Sequence, residues 1–343
     1  MKRLAILCII VSIFSIGCSK DPFGNILQPK PQKQQQLTRA ELHREAATLK
    51  KVVAENPANA SAQYTYGRIL LALDEPRQAL PHLKKASALT RNNIDYLLWL
   101  GVAYGGSGRL PEEQDSYLKV LQLDSKHIQA LVYLGNSYLK SKKYEPSLNC
   151  YQRALALQPD NDQALYNRAI IYQRLQRKSA ERQAWKLYLQ AHPSGTLAIK
   201  AVERLNRLDD FSYRNHHLGR RVVTLPAMSY APSTAVLTRS DRANLDTIGS
   251  IVVNMKSDPL DIIVYRKNDG NLARDRAIRI KRYLEKEFPT LALGGRIRIS
   301  WFNVSEKRTF SGHRATIDDS TVFFLSQSPA KSPKLKNRGK KKR

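Results

Sequence analysis

The stretch Ile128–Asn161, IQALVYLGNSYLKSKKYEPSLNCYQRALALQPDN, decides the fold. Gly135, its eighth residue, removes a side chain where the two helices of a hairpin must come close, and Pro159 stops the second helix. Tyr138 and Tyr151 are placed to fill the gap between one hairpin and the next. A hairpin of this size cannot bury its own apolar face, so copies should stack beside it. They are present: Gly67, Gly101 and Gly135 stand 34 residues apart, and Ala169 continues the series. Around them run QYTYGRILL (63–71), LLWLGVAYG (97–105), LVYLGNSYL (131–139) and LYNRAIIYQ (165–173). Ala86, Val120, Ala154 and Tyr188 keep the same spacing, as do Pro159 and Pro193.

These positions resemble the tetratricopeptide repeat (TPR) closely. Four copies are read at 60–93, 94–127, 128–161 and 162–195. A helix with the capping-box spacing Thr38–Glu41 precedes them, carrying Leu42, Ala46, Leu49 and Val53 on one stripe. Leu197–Leu208 has the pattern of a capping helix, so the α-helical TPR solenoid is expected over 37–210. The resemblance implies a superhelix that holds a partner segment in the groove formed by the first helix of each hairpin. By repeat register the groove positions are Tyr64, Arg68, Leu98, Val102, Val132, Asn136, Tyr166, Ile170 and Arg174. That lining is mostly apolar with a few polar hooks, which suits an extended or helical protein segment with hydrophobic side chains. The family's carboxylate-gripping pairs of Lys and Asn are not reproduced. The alternative is a groove that serves only as packing surface, or one filled by the chain's own tether.

Before the repeats, MKRLAILCIIVSIFSIGCSK has a basic start at Lys2 and Arg3, an apolar run Leu4–Ile16 and small residues around Cys18, the build of a signal peptide over 1–17. The run is short for a transmembrane helix. Ser15–Cys18 resembles the lipobox of bacterial lipoproteins, in which the Cys thiol is diacylated with palmitate-type chains and the Cys becomes the first mature residue. The resemblance implies export, and Ser19 after the Cys favours the outer membrane, with the protein facing the periplasm. Several acyl chains make attachment stable, since each buried methylene contributes about 0.8 kcal/mol. A Pro- and Gln-rich tether follows over 18–36. With Cys8 removed and Cys18 acylated, Cys150 has no intramolecular partner left.

Fifty-seven basic residues against 29 acidic give a net charge of +28, which favours partners with a negative surface, such as lipid head groups or other anionic envelope polymers. Nucleic acid shares that chemistry but does not fit an exported lipoprotein. Eight of the charges lie in Lys331–Arg343, within a basic tail read over 327–343 as disordered.

After Asp210 the composition changes. A linker is expected over 211–220, then strands near Arg221–Leu225 and Ala235–Thr238, a helix Asp241–Met255, a strand Asp261–Tyr265, a helix Asn271–Phe288, and strands Arg296–Phe302 and Ser320–Leu325. This is an α/β sandwich with the order β-α-β-α-β-β over 221–326. The stretches Tyr230–Val252 and Leu272–Ile280 (LARDRAIRI) resemble the OmpA-like domain. The resemblance implies peptidoglycan binding, with Arg276 gripping a carboxylate of diaminopimelate and Asp269 its ammonium. Three departures stand beside it: Arg266 replaces a Gly, Asn268 replaces a Thr, and only Gly270 and Asn271 separate Asp269 from Leu272. The short loop removes backbone donors, and leaves open that Asp269 serves as turn residue and helix-dipole partner.

No catalytic, metal or cofactor site is read. Ser311, His313 and Asp318 fall in one turn-rich stretch, and His216–His217 would point apart on a strand. The expectation is a non-catalytic periplasmic scaffold, with a pilotin-like assembly factor for a pilus or secretion system, or an accessory activator of a cell-wall enzyme, as alternatives.

Overall fold

The computed structural model describes residues 37–231, 233–255, 259–310 and 312–326. The chain forms two compact units, divided between Ala184 and Trp185.

The first unit is a run of antiparallel helices: α1 (Arg39–Glu55), α2 (Ala60–Ala72), α3 (Pro76–Leu89), α4 (Ile94–Gly106), α5 (Leu110–Leu123), α6 (Ile128–Lys140), α7 (Tyr144–Leu157), α8 (Asp162–Arg174) and the start of α9 (Lys178–Ala191). Thr38 and Glu41 cap α1 reciprocally, as their spacing predicts. Each first helix of a repeat begins on a polar residue at the same 34-residue step. Asn59, Asn93, His127 and Asn161 accept from the amides of Ala62, Tyr96, Ala130 and Ala164 at 3.0–3.2 Å. These caps satisfy donors that a helix start leaves open and fix where every hairpin begins.

Within the hairpins, Gly135 is required by distance. A Cβ placed there would lie 2.7 Å from the Tyr151 ring, and Ser147 Oγ already donates to the Gly135 carbonyl at 2.7 Å. The turn between the two helices of each repeat passes through the left-handed region at Asp74, Gly108, Lys142 and Gln176, of which only Gly108 adopts it without steric cost.

The second unit contains the rest of α9, α10 (Thr196–Arg207) and a sheet. Helix α10 packs Ala198, Ala201, Val202 and Leu205 as a buried stripe and lies against β1 (Tyr213–Leu218), β2 (Arg221–Pro226) and β5 (Glu306–Phe310). Asn215 Nδ2 donates to the Ile199 carbonyl at 3.2 Å. The segment expected to cap the solenoid thus has a sheet to cover.

The remaining elements are α11 (Arg239–Val253), β3 (Leu260–Arg266), α12 (Gly270–Glu287), the single turn α13 (Pro289–Ala292), β4 (Ile297–Phe302), β6 (His313–Ile317) and β7 (Asp319–Leu325). Five strands form one sheet in the order β2-β1-β7-β3-β4, and β5–β6 is a separate hairpin. Strand β7 runs antiparallel to β3 and parallel to β1, and β3 is parallel to β4. Leu245, Ile248 and Val252 of α11 and Ala273, Ala277, Ile280 and Leu284 of α12 close over Leu260, Ile262, Val264 and Phe323.

Three expectations need correction. Residues 211–220 are not a linker, because β1 occupies most of them. Residues 235–238 form no strand; they lead into Thr238, which caps α11 in a capping box with Asp241. The hairpin β5–β6 was not expected, so the order is β-β-α-β-α with a short helical turn and four further strands. The physical reason is the same for both missed elements: YRNHHL and EKRTF/HRATI carry polar residues where alternation was sought, and buried Arg214, His216 and Glu306 satisfy those positions instead of apolar side chains.

Candidate functional site

The nine groove positions divide sharply by accessibility. Tyr64, Arg68, Val102 and Ile170 are half-buried and Arg174 is exposed. Leu98, Val132, Asn136 and Tyr166 are buried, at 2%, 4%, 3% and 7% exposure, and do not line open surface. Helix α6 packs on α5, α7 and α8, which covers Val132 and Asn136 from several sides.

At the open end an aromatic and guanidinium cluster has formed. The rings of Tyr64 and Tyr96 lie 4.6 Å apart, and the Arg68 guanidinium sits 4.5 Å from the Trp99 ring centre and 5.4 Å from that of Tyr64. Arg68 Nη1 also donates to the Tyr64 hydroxyl at 3.4 Å. Burial raises the Tyr64 phenol above its ordinary range, against the neighbouring cation. Tyr96 and Trp99 escaped the register argument, although their place in the first turns after the Asn93 cap was a usable signal.

Deeper in the unit, Asn136 Oδ1 accepts from the Tyr151 hydroxyl at 2.5 Å and from Asn167 Nδ2 at 2.8 Å. Asn136 Nδ2 and Asn167 Oδ1 then have no hydrogen-bond partner among the described residues. One unmet donor and one unmet acceptor therefore lie on neighbouring first helices, α6 and α8. Each such buried orphan costs about 1–3 kcal/mol.

In the second unit the structure sends Asp269 and Arg276 to different partners. Asp269 caps α12, its Oδ1 accepting from the Leu272 amide at 2.9 Å. The Arg276 side chain is only 3% exposed. Its Nη1 donates to both oxygens of Asp319 at 2.7 Å, its Nε to the Thr234 carbonyl at 2.9 Å, and its guanidinium lies 4.1 Å from the Tyr230 ring centre. Arg266 Nη1 holds the same Asp319 at 2.8 Å.

Tyr230 is fixed from behind. Asp241 accepts from the amides of Ser229, Tyr230 and Thr238 at 2.8–2.9 Å, and the Tyr230 hydroxyl bonds Thr321 Oγ1 at 2.8 Å. Burial opposes ionisation of Asp241, but those amides outweigh it and hold the carboxyl below its usual range. Asp319, the partner that matters most to Arg276, was not found from the sequence because it lies 43 residues away.

Cys18 lies outside the described residues, as do the tether and the basic tail. Among the described residues no group of three His, Cys, Asp or Glu side chains is placed to hold a metal ion, and no helix is long and apolar enough to cross a membrane.

Residues 135–176 match the family model described as TPR repeat. Among solved structures, the chain is similar to YrrB, described as a TPR protein with an unusual peptide-binding site, at 18% identity over 47% of this chain and 84% of that one, TM-score 0.43. It is similar to pilF of Pseudomonas aeruginosa at 20% identity over 50% and 76%, TM-score 0.43. It is also similar to PilW, described as a widely conserved type IV pilus biogenesis factor, at 17% identity over 49% and 80%, TM-score 0.44. No curated protein matches the chain.

Proposed function

We propose that the protein is a non-catalytic scaffold of the bacterial envelope, anchored in the outer membrane through acyl chains on Cys18 and holding a partner protein segment on the first helices of its TPR repeats. The observation that carries this reading is the half-buried cluster of Tyr64 and Arg68 on α2 with Tyr96 and Trp99 on α4, both first helices of a repeat. Its aromatic faces and guanidinium suit an apolar side chain next to an acidic one.

The test is co-purification of the mature protein from cross-linked envelopes, beside the double variant Arg68→Ala, Trp99→Ala. A partner captured by the wild type and lost by the folded double variant is expected; equal capture by both would overturn the groove assignment. Retention in the detergent-soluble outer-membrane fraction should disappear for Cys18→Ser. Recovery of a secretin would direct the reading to a pilotin-like assembly factor, and recovery of a wall enzyme to an accessory activator.

The second unit is proposed as a divergent OmpA-like domain that reaches the cell wall. The succession β2, α11, β3, α12, β4 and β7 keeps the expected strand and helix order around one added strand and one added hairpin. Arg276 would have to exchange Asp319 for a ligand carboxylate, so binding would be weak. Sedimentation with purified sacculi should fall for Asp269→Ala and for Arg276→Lys, with circular dichroism to verify folding. Equal sedimentation of the wild type and both variants would remove these residues from the proposal.

A further inference from the structure

The two edges of the five-stranded sheet are not equivalent. Strand β2 ends in Pro226, buries Thr224 and Leu225, and packs on α10 and α11. That edge is covered in the ways by which proteins keep a row of free amides and carbonyls from pairing with another chain. Strand β4 has β3 on one side and no strand on the other among the described residues. Its far end shows Trp301, Phe302 and, just beyond, Val304, at 42%, 44% and 53% exposure. It carries no Pro and no Lys.

The aromatic pair straddles the edge. Trp301 stands in register with the core residue Val264 and so lies on the helix-covered face, whereas Phe302 is in register with Tyr265 on the opposite face. The Tyr265 ring stacks on Phe302 at 5.3 Å, which props that side chain beside the strand. An added strand would therefore meet an aromatic on either face of its own pleat.

Charge selects the kind of strand. Residues 211–326 hold nineteen Lys and Arg against eleven Asp and Glu, and the helix above the edge is a main source. The Tyr283 hydroxyl reaches Asp246 of α11, so Arg274, Ile278 and Lys281, half a turn round α12, lie on the flank towards β4, where Arg274 is paired with Asp275 at 3.3 Å and Lys281 with Glu285 at 3.7 Å. Arg298 on β4 is exposed, though held by Asp261 at 2.7 Å through both Nε and Nη2.

We propose that the β4 edge accepts an extended segment of a partner protein in which acidic and apolar residues alternate, adding a sixth strand to the sheet. Backbone pairing supplies the register, Phe302 on the open face takes the apolar side chains, and the α12 flank on the helix-covered face, beside Trp301, meets the acidic ones. This surface is separate from the TPR groove and stands whether or not the groove assignment holds.

The probe is a fluorescein-labelled peptide of four Glu-Val pairs, titrated by fluorescence anisotropy against the mature protein. Saturable binding is expected, with a loss of about tenfold or more for Phe302→Lys, an exposed position whose replacement leaves the core intact, and for the Lys-Val counterpart peptide. The chemical control is the peptide N-methylated at alternate residues, in both settings; one of the two must lose binding if the backbone pairs. The proposal is overturned if neither methylated peptide differs from the parent, or if the Glu-Val peptide does not bind. It is also overturned if Phe302→Lys instead abolishes binding to phosphatidylglycerol vesicles or dissolves a homodimer seen by sedimentation, since the edge would then serve a membrane or a second copy of the chain.

Discussion

The helical unit and the sheet unit hold themselves together across different spans of chain. In the solenoid, the side-chain bonds that tie one helix to another join residues 12 to 31 apart, from Ser147 with Gly135 to Asn167 with Asn136. In the sheet unit, beside short ties such as Asn215 with Ile199, they also join Tyr230 to Thr321, Arg214 to Glu306 and Phe323 to His216, across 91, 92 and 107 residues. A repeat can be judged by its neighbour alone. The sheet depends on residues that meet only when the fold is nearly complete, and several of them are charged.

The sharpest way to separate the two is to strand a buried charge. Arg214 and Glu306 form a bidentate pair, with Nη1 to Oε2 at 2.8 Å, and both side chains are 10% exposed. Glu306→Ala should destabilise the sheet unit by about 3–5 kcal/mol by leaving Arg214 uncompensated. Hydrogen exchange of the β7 amides would accelerate while the α6 and α7 amides stay protected. The double change Arg214→Met, Glu306→Leu should recover most of the loss; no recovery would mean the pair acts through shape and not charge.

Acid should divide the units next. Burial pushes the His216 imidazole down to about 3, aided by Arg214. Its folded value lies below the ordinary 6.5, so the stabilisation is complete above 6.5 and is lost as pH falls towards 3. Between pH 7 and 5 the sheet unit should lose about 2 kcal/mol from this group. Glu113 in the solenoid has the opposite sign: burial raises its carboxyl, although Ser137 Oγ donates to it at 2.8 Å. That stabilisation is complete below about 4.5 and declines as pH rises through the folded value. Urea titrations at pH 7 and 5, read by exchange in each unit, should show the sheet unit weakening and the solenoid holding. His216→Leu should flatten the first response, and an unchanged pH dependence would exclude His216 as its source.

A smaller effect tests the local character of the repeats. Gly135→Ala forces a methyl group against the Tyr151 ring and should cost the solenoid about 1–2 kcal/mol, with no change in β7 exchange. The smallest is a gain. Lys142 adopts φ 57°, and Lys142→Gly should raise the solenoid's stability by about 0.5 kcal/mol, the steric relief exceeding the entropy that Gly adds to the unfolded chain. A lower urea midpoint for this variant would show that the left-handed turn is not strained.

The same contrast explains what could be read in advance. Gly67, Gly101, Gly135 and Ala169 announced the hairpins because their meaning depends on residues within one repeat. The register placed Val132 and Asn136 on the correct helix but not beneath its neighbours, since depth depends on how α5, α7 and α8 close around α6. In the sheet unit, Leu245, Ile248 and Val252 betrayed α11 by their spacing. Strand β1 stayed hidden because Arg214 and His216 look like surface residues until Glu306 and Phe323 arrive. Arg276 was placed on the correct helix, but its partner Asp319 belongs to a strand far along the chain. What the alphabet of one segment can express was legible; what two distant segments agree on was not.

The position of β7 has a consequence for how the molecule is made. Its seven residues, Asp319–Leu325, lie in the middle of the sheet, between β1 and β3, although they come last of the strands. During synthesis, each helical hairpin can settle as soon as its neighbour has emerged. Strand β1 must wait with one side unsatisfied until more than a hundred further residues have arrived. For that interval the nascent chain is half finished goods with an open seam, a natural moment for a chaperone to hold it.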